Sequence, residues 1–233
     1  MHFAVIAAGE GSRLQNEGIH VPKPLVELNG EALIARLFRI FDSCNAESVT
    51  VIVNESISDI VVPVIRNIPM NCKVNIHIKS TPSSMHSLFE LKNYLYGKSF
   101  CLTTVDTIFK EVEFTAFIQK AVNDCYSDGL FGVTTFEDDE SPLYVQVNST
   151  NIIQAFKDEK CENAFISGGI YYFKTTFFWD ILKQSIDSGV YRMRNFQRKL
   201  ISSGSRLEAY CFSKIIDVDH QKDILAAEFF LKN

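Results

Sequence analysis

The chain has 233 residues, 46% of them apolar, which is enough to bury the core of one large α/β domain or two small ones. No apolar run approaches the ~20 residues of a membrane span, and the short apolar run at the start lacks the basic flank of a secretory leader. A net charge of −5 argues against a nucleic-acid partner, which needs a basic face, so neither nucleic acid nor a membrane is an expected partner. The six cysteines form no C-x-x-C and several lie inside apolar segments, so they read as reduced thiols of a cytoplasmic protein. The five histidines show no H-x-x-x-H spacing, which argues against a histidine-based metal site.

In chain order, Phe3 to Ala8 is an apolar run that predicts a buried strand. It breaks into Gly9-Glu10-Gly11-Ser12-Arg13, and a long polar loop follows to Pro22-Lys23-Pro24. Leu25 to Leu28 is short and extended, Asn29-Gly30 marks a turn, and Glu31 to Ser43 carries the apolar stripe of an amphipathic helix. Val49 to Val53 reads as a strand. Ser56 to Asn67 is helical in composition, with Pro63 expected to kink or end it. Val74 to Ile78 alternates as a strand, and Ser83 or Ser84 is placed to cap a helix running to Tyr96. Phe100 to Thr104 is a strand with Asp106 just beyond it. A helix over Thr115 to Tyr126 and a strand over Gly129 to Thr135 follow.

An acidic loop, Glu137-Asp138-Asp139-Glu140, opens the second half. Tyr144 to Asn148 and Ile152 to Lys157 read as a hairpin, and Phe165 to Phe173 as a strand interrupted by Gly168-Gly169. Helices are expected near 175–187, 191–203 and 220–231, with a strand over Leu207 to Phe212. Strand and helix alternate with short connections, which predicts a mostly parallel sheet covered on both faces, with ligands beyond the carboxyl ends of the strands. No composition break divides the chain, so one domain is expected over 1–233.

Two glycines directly after a strand let the backbone turn tightly and present N–H groups to an anion. Arg13 and Lys23 add positive charge, and the prolines flanking Lys23 restrict its backbone. The dinucleotide fingerprint fails because Leu14 stands where its third glycine belongs, and no Walker A sequence occurs. On spacing alone, Asp106 reads as a turn residue, Asp219 as a helix cap and Glu159-Lys160 as surface charge.

The pieces A-A-G-E-G-S-R-L and P-K-P-L resemble the signature of the sugar-phosphate nucleotidyltransferases, the nucleoside-triphosphate transferase family that also includes MobA-like members. The resemblance implies a three-layer, Rossmann-like α/β/α fold of the GT-A type, built on a mostly parallel mixed sheet. It implies nucleotide contacts from Ala7, Ala8, Gly9, Glu10, Gly11 and Ser12, with Arg13 and Lys23 as the catalytic cations. Ser83 and Ser84 fall where the family contacts base and ribose. Asp106, preceded by Val105 where the family has glycine, matches the aspartate that holds Mg²⁺. Asp219, with Asp217 second, matches the aspartate that completes the metal site. Phe156-Lys157-Asp158-Glu159-Lys160 resembles the F-x-E-K element and Ser167-Gly168-Gly169-Ile170-Tyr171 the N-A-G-I-Y element. Glu159, Lys160 and Gly169 are thereby implied on the acceptor side, and Arg194 joins them if its helix faces the cleft.

The expected reaction joins a nucleoside triphosphate to a phosphorylated acceptor, foremost a sugar 1-phosphate, in NDP-sugar biosynthesis. About 1–135 would bind nucleotide and about 136–233 acceptor. Cytidylyl transfer to a phosphorylated alcohol, and a nucleotide-binding regulator that has lost catalysis, are the alternatives. No β-helix segment follows the last helix, so a fused acyltransferase is not expected.

Overall fold

The computed structural model describes residues 1–123, 127–137, 140–162, 164–174 and 178–232. The first half contains β1 (His2–Ala7), α1 (Ser12–Asn16), β2 (Glu27–Leu28), β3 (Glu31–Ala32), α2 (Leu33–Ser43) and β4 (Ser48–Val53). It continues through α3 (Ser58–Asn67), β5 (Lys73–Ile78), α4 (Ser84–Glu90), α5 (Lys92–Leu95), β6 (Phe100–Thr104), β7 (Thr107–Ile108) and α6 (Glu111–Asn123). The second half contains β8 (Gly129–Thr134), β9 (Tyr144–Val147), β10 (Ile153–Lys157), β11 (Phe165–Phe173), α7 (Phe178–Asp187), α8 (Met193–Ser202), β12 (Leu207–Phe212), β13 (Ile216–Asp217) and α9 (Gln221–Lys232).

β1 lies between β4 and β6, parallel to both, with Phe3 opposite Val49 and Cys101. β5 extends the parallel block beyond β4. On the other side β11 runs antiparallel to β6 and β8, β12 is parallel to β8, and the hairpin β9–β10 joins the start of β11. The result is a mixed, mostly parallel sheet, as the alternation of strand and helix predicts.

Side chains along β1 alternate between two cores. Phe3, Val5 and Ala7 face one, with α2, α3, α6 and α9; Ala4, Ile6 and Ala8 face the other, with α4, α5, α7 and α8. Stacked aromatics fill each side: Phe3 on Phe41 and Phe109 on Phe114 in the first, Phe173 on Phe178 in the second. This is a three-layer α/β/α fold with helices covering both faces. No helix among the described residues is long and apolar enough to cross a membrane.

Several expectations are corrected. The polar loop after β1 contains the short helix α1, entered through Gly11 in the left-handed region and anchored by buried Leu14. Glu31 and Ala32 pair with β2 instead of opening α2, across an Asn29-Gly30 turn in which both residues have positive φ. Helix α3 runs through Pro63 without ending, because the proline is exposed and the lost hydrogen bond faces water. The helix after Ser83 is broken at Leu91 into α4 and α5. Ser83 occupies the cap position, but its hydroxyl pairs with His86 Nδ1 at 2.9 Å and makes no capping bond. α6 begins four residues before its expected start, at Glu111, and the expected end at Tyr126 lies outside the described residues. The expected start of the helix near 175 and the acids Asp138 and Asp139 also lie outside them. Gly168-Gly169 does not interrupt β11, which runs through as one strand with a register shift between Ser167 and Tyr171.

Candidate active site

The parallel strands β1, β4 and β6 end on one side, and a cleft of about 580 Å³ opens beyond them. Its wall includes Ala8, Gly9, Glu10, Gly11, Ser12, Arg13 and Lys23 from the signature stretch, Ser83 and Ser84 from the loop before α4, and Asp106 and Asp219. Ala7 does not line it: the alternation of β1 sends that side chain into the opposite core, fully buried.

The two glycines serve different ends. Gly11 has φ +65° and a Cβ there would sit 3.2 Å from Lys23 Cβ, so the fold itself demands glycine. At Gly9 a Cβ would meet nothing within 4 Å, and the space it would enter is the cleft. The fold itself therefore does not require glycine at position 9.

Lys23 opens a 3-10 turn, Lys23–Leu25, between Pro22 and Pro24, and the residue is buried. Its Nζ forms ion pairs with Asp106 and with Asp219 Oδ1, the latter at 2.6 Å. Arg13 Nη1 takes the other oxygen, Asp219 Oδ2, at 2.7 Å. Two carboxylates and two cations thus converge at the lip of the glycine turn. Burial disfavours the Lys23 ammonium, but Asp106 and then Asp219 outweigh it and hold its pKa above the usual value. Burial likewise pushes the Asp106 carboxyl up, and Lys23 outweighs it, leaving it below the ordinary range.

A small ladder makes this convergence. β7, immediately after Asp106, pairs antiparallel with β13, matching Thr107 with Asp217, and Val218 N–H donates to the Asp106 carbonyl at 3.1 Å. Asp219 then follows one residue beyond the ladder. The expectation that Asp219 caps the last helix is corrected. α9 starts at Gln221, and Asp223 Oδ2 accepts the N–H groups of Asp219 and His220 at 3.0 and 2.7 Å. Asp219 is thereby left free to face Arg13 and Lys23.

Asp217 instead accepts from Thr107 Oγ1 at 3.1 Å and reaches neither cation. The protein around it and the neighbouring Asp106 charge push its carboxyl up, towards about 8. The residue is solvent-exposed, and water tempers the rise.

Gly169, at φ +70°, lies against the same ladder: a Cβ would stand 2.9 Å from Thr107 Oγ1 and 3.5 Å from Thr104 Oγ1. Its missing side chain admits these two threonines, whose hydroxyls are 2.6 Å apart. Gly169→Ala is expected to cost about 1–2 kcal/mol from the left-handed backbone alone, and more as Thr107 is displaced. A lowered melting temperature in thermal unfolding checks it.

The remaining acceptor-side residues are not brought to the cleft. Glu159 is exposed and lines neither the cleft nor the hollow of about 50 Å³ that adjoins it through Arg13 and Asp219. Lys160 is exposed and pairs with Glu137 at 2.5 Å. Arg194 and Arg198 both reach Asp158, at 3.0 and 2.7 Å, and donate to the carbonyls of Ser141 and Phe156. They stitch α8 to β10 and to the preceding loop.

Sequence reasoning also missed wall residues. Asn54 lies just past the carboxyl end of β4 and donates to the Ala8 carbonyl at 3.1 Å, while accepting from Ser56 and Ser80. Its position directly after a buried strand was the available signal. Thr81 and Thr104, also missed, complete the hydroxyl-rich wall together with Ser87, which lies in the same stretch as Ser83 and Ser84 and was open to a base contact from the sequence.

No curated protein matches the chain. Among solved structures, the inositol-1-phosphate CTP transferase from T. maritima superposes with a TM-score of 0.81 at 17% identity, covering 97% of this chain and 95% of that one. HddC from Yersinia pseudotuberculosis, complexed with GMP-PN, gives 0.74 at 18% identity over 98% of each chain. A nucleoside-diphosphate-sugar pyrophosphorylase from Vibrio cholerae RC9 gives 0.73 at 15% identity, over 98% of this chain and 100% of that one. At these identities the likeness is one of fold. The model of the family described as "Nucleotidyl transferase" matches residues 4–233. With that match spanning nearly the whole chain, the protein belongs to the nucleotidyl transferase family and is a nucleotidyltransferase.

Proposed function

We propose that the protein transfers a nucleotidyl group from a nucleoside triphosphate to a phosphorylated small molecule of the sugar 1-phosphate class, releasing pyrophosphate and an NDP-sugar. An oxygen of the acceptor phosphate attacks the α-phosphorus, and the bond to the β-phosphate oxygen breaks. The attacking phosphate is already anionic near neutral pH, so no general base is required, and catalysis rests on alignment and charge neutralisation. The observation that carries this reading is the meeting of Arg13, Lys23, Asp106 and Asp219 at a glycine turn beyond the parallel strands. In this reading the amides of Gly9 to Ser12 and the Arg13 guanidinium grip the triphosphate, and Lys23 neutralises the reacting phosphates.

Asp106 and Asp219 fit Mg²⁺. Both carboxylates already converge on one cation, the Lys23 ammonium, and both offer hard oxygen donors. Among the described residues no three His, Cys, Asp or Glu side chains are grouped to hold a metal by themselves. That suits an ion that takes few protein ligands and fills its shell with water and phosphate oxygens. When bound there, Mg²⁺ supplies positive charge to the phosphates.

The division of labour follows the chain, with about 1–135 serving the nucleotide and about 136–233 the acceptor. The cysteines at 44, 72, 101, 161 and 211 are free, which supports a reducing, cytoplasmic setting. Cytidylyl transfer to a phosphorylated alcohol is the second reading, favoured by the T. maritima neighbour, an inositol-1-phosphate CTP transferase. The presence of Arg13, Lys23, Asp106 and Asp219 together speaks against a regulator that has lost catalysis.

A pyrophosphate-release screen with Mg²⁺, four nucleoside triphosphates and a panel of sugar 1-phosphates and phosphorylated alcohols tests both readings. Acceptor-dependent release with a sugar 1-phosphate supports the first, and release only with CTP and a phosphorylated alcohol the second. Nucleotide binding without release for any pair defeats both.

A further inference from the structure

A carboxylate outside the cleft joins the two ends of the site. Glu17 directly follows α1, the short helix that carries Arg13, and its own N–H donates to the Arg13 and Leu14 carbonyls at 3.1 Å each. Its side chain crosses to the segment after Asp219. Oε1 accepts from His220 Nδ1 at 2.6 Å, and Oε2 accepts from the Gln221 N–H at 2.6 Å.

Every α-helix starts with N–H groups that its own turns cannot satisfy. Here Asp223, on α9 itself, takes the N–H groups of the two residues leading into the helix, Asp219 and His220, while Glu17 takes that of Gln221, the first helical residue, from 204 residues away. Asp223 shapes the start of the helix; Glu17 fixes where that start lies relative to α1. Glu17 does not line the cleft, so it has no route to substrate except through the residues it holds.

The other links between α9 and the signature stretch differ in kind. Arg13 and Lys23 reach Asp219 directly, but both are the cations a triphosphate competes for. Asn29 N–H donates to Glu228 Oε1 at 2.9 Å, about two turns further along α9. Near Asp219, the Glu17 contact is the tie that ligand binding leaves intact.

We infer that Glu17 is a positioning residue: it holds the Asp219 segment against the Arg13 helix and so sets the span across which metal and triphosphate are gripped. The inference rests on the function proposed above.

The test compares wild type, Glu17→Ala and Glu17→Gln. Glutamine keeps the length and one carbonyl oxygen for the Gln221 N–H. Mg²⁺ binding is titrated calorimetrically in the presence of a non-hydrolysable triphosphate, and kcat and KM are measured beside it. Loss of a group bonded directly to a metal ligand costs about 10–100-fold in metal affinity or activity, and Glu17 acts one residue removed, through His220, so the lower end of that range is expected. Glu17→Ala is expected to weaken Mg²⁺ binding and lower kcat within that range, with a smaller change in acceptor KM. Glu17→Gln is expected to restore most of both. An alanine variant with wild-type Mg²⁺ affinity and kcat overturns the inference. So does equal damage in both variants that tracks a shared fall in melting temperature. A wild-type protein that shows no Mg²⁺-dependent pyrophosphate release condemns the proposed function, whereas an active wild type beside an unaffected Glu17→Ala condemns only the role of Glu17.

Discussion

Lys23→Ala is expected to lower kcat by about 10²–10³-fold, the usual loss when one preorganised donor to developing negative charge is removed. Four features fix this ammonium: the flanking prolines, the 3-10 turn, the packing of Gly11 on its Cβ, and the ion pairs to Asp106 and Asp219. A charge held so firmly needs no reorganisation when phosphates arrive. The fold should survive, because the backbone of this turn is set by proline and glycine, and circular dichroism checks that. The variant has a second, opposite effect. In the wild type the ammonium lies between the two carboxylates, so Mg²⁺ must compete with it. Without it, two like charges face each other, and calorimetry should find Mg²⁺ bound more tightly in the absence of nucleotide. Unchanged turnover would remove Lys23 from the mechanism.

Asp106→Asn keeps the shape of the side chain and removes its charge. It is expected to reduce kcat by about 10³-fold even at saturating Mg²⁺, as loss of several kcal/mol of metal-borne charge stabilisation implies. The Mg²⁺ dependence should weaken with it. Asp217→Asn is the matched control: that carboxylate accepts from Thr107 and touches neither Lys23 nor Arg13, so its loss should matter far less. Greater loss of activity in Asp217→Asn than in Asp219→Asn would move the second metal ligand from Asp219 to Asp217.

What the sequence made legible, and what it hid, divides by the range of the interactions. The apolar run from Phe3 to Ala8, the Asn29-Gly30 turn and the run from Phe100 to Thr104 each carry their own signal, because a single strand or turn specifies it. The convergence of Asp106 with Asp219 was accessible only through a family resemblance. The physical cause is the pairing of β7 with β13, two strands of two residues each, too short for any periodicity. Helix capping at Asp219 was reasonable from spacing, and failed because Asp223 reaches back to do it. Arg194 looked like an anion site because its partners, Asp158 and the Ser141 carbonyl, come from a distant hairpin and loop. Glu17 was invisible for the same reason: an acid in a polar loop, its partners more than 200 residues away.

The most direct measurement follows two labels on one nucleoside triphosphate, at the α- and the γ-phosphorus, through a turnover with Mg²⁺ and the acceptor that the screen identifies. The account predicts that the α label appears in the nucleotide–acceptor product and the γ label in pyrophosphate. Transfer of the γ label to the acceptor, or release of both labels without a joined product, would contradict it.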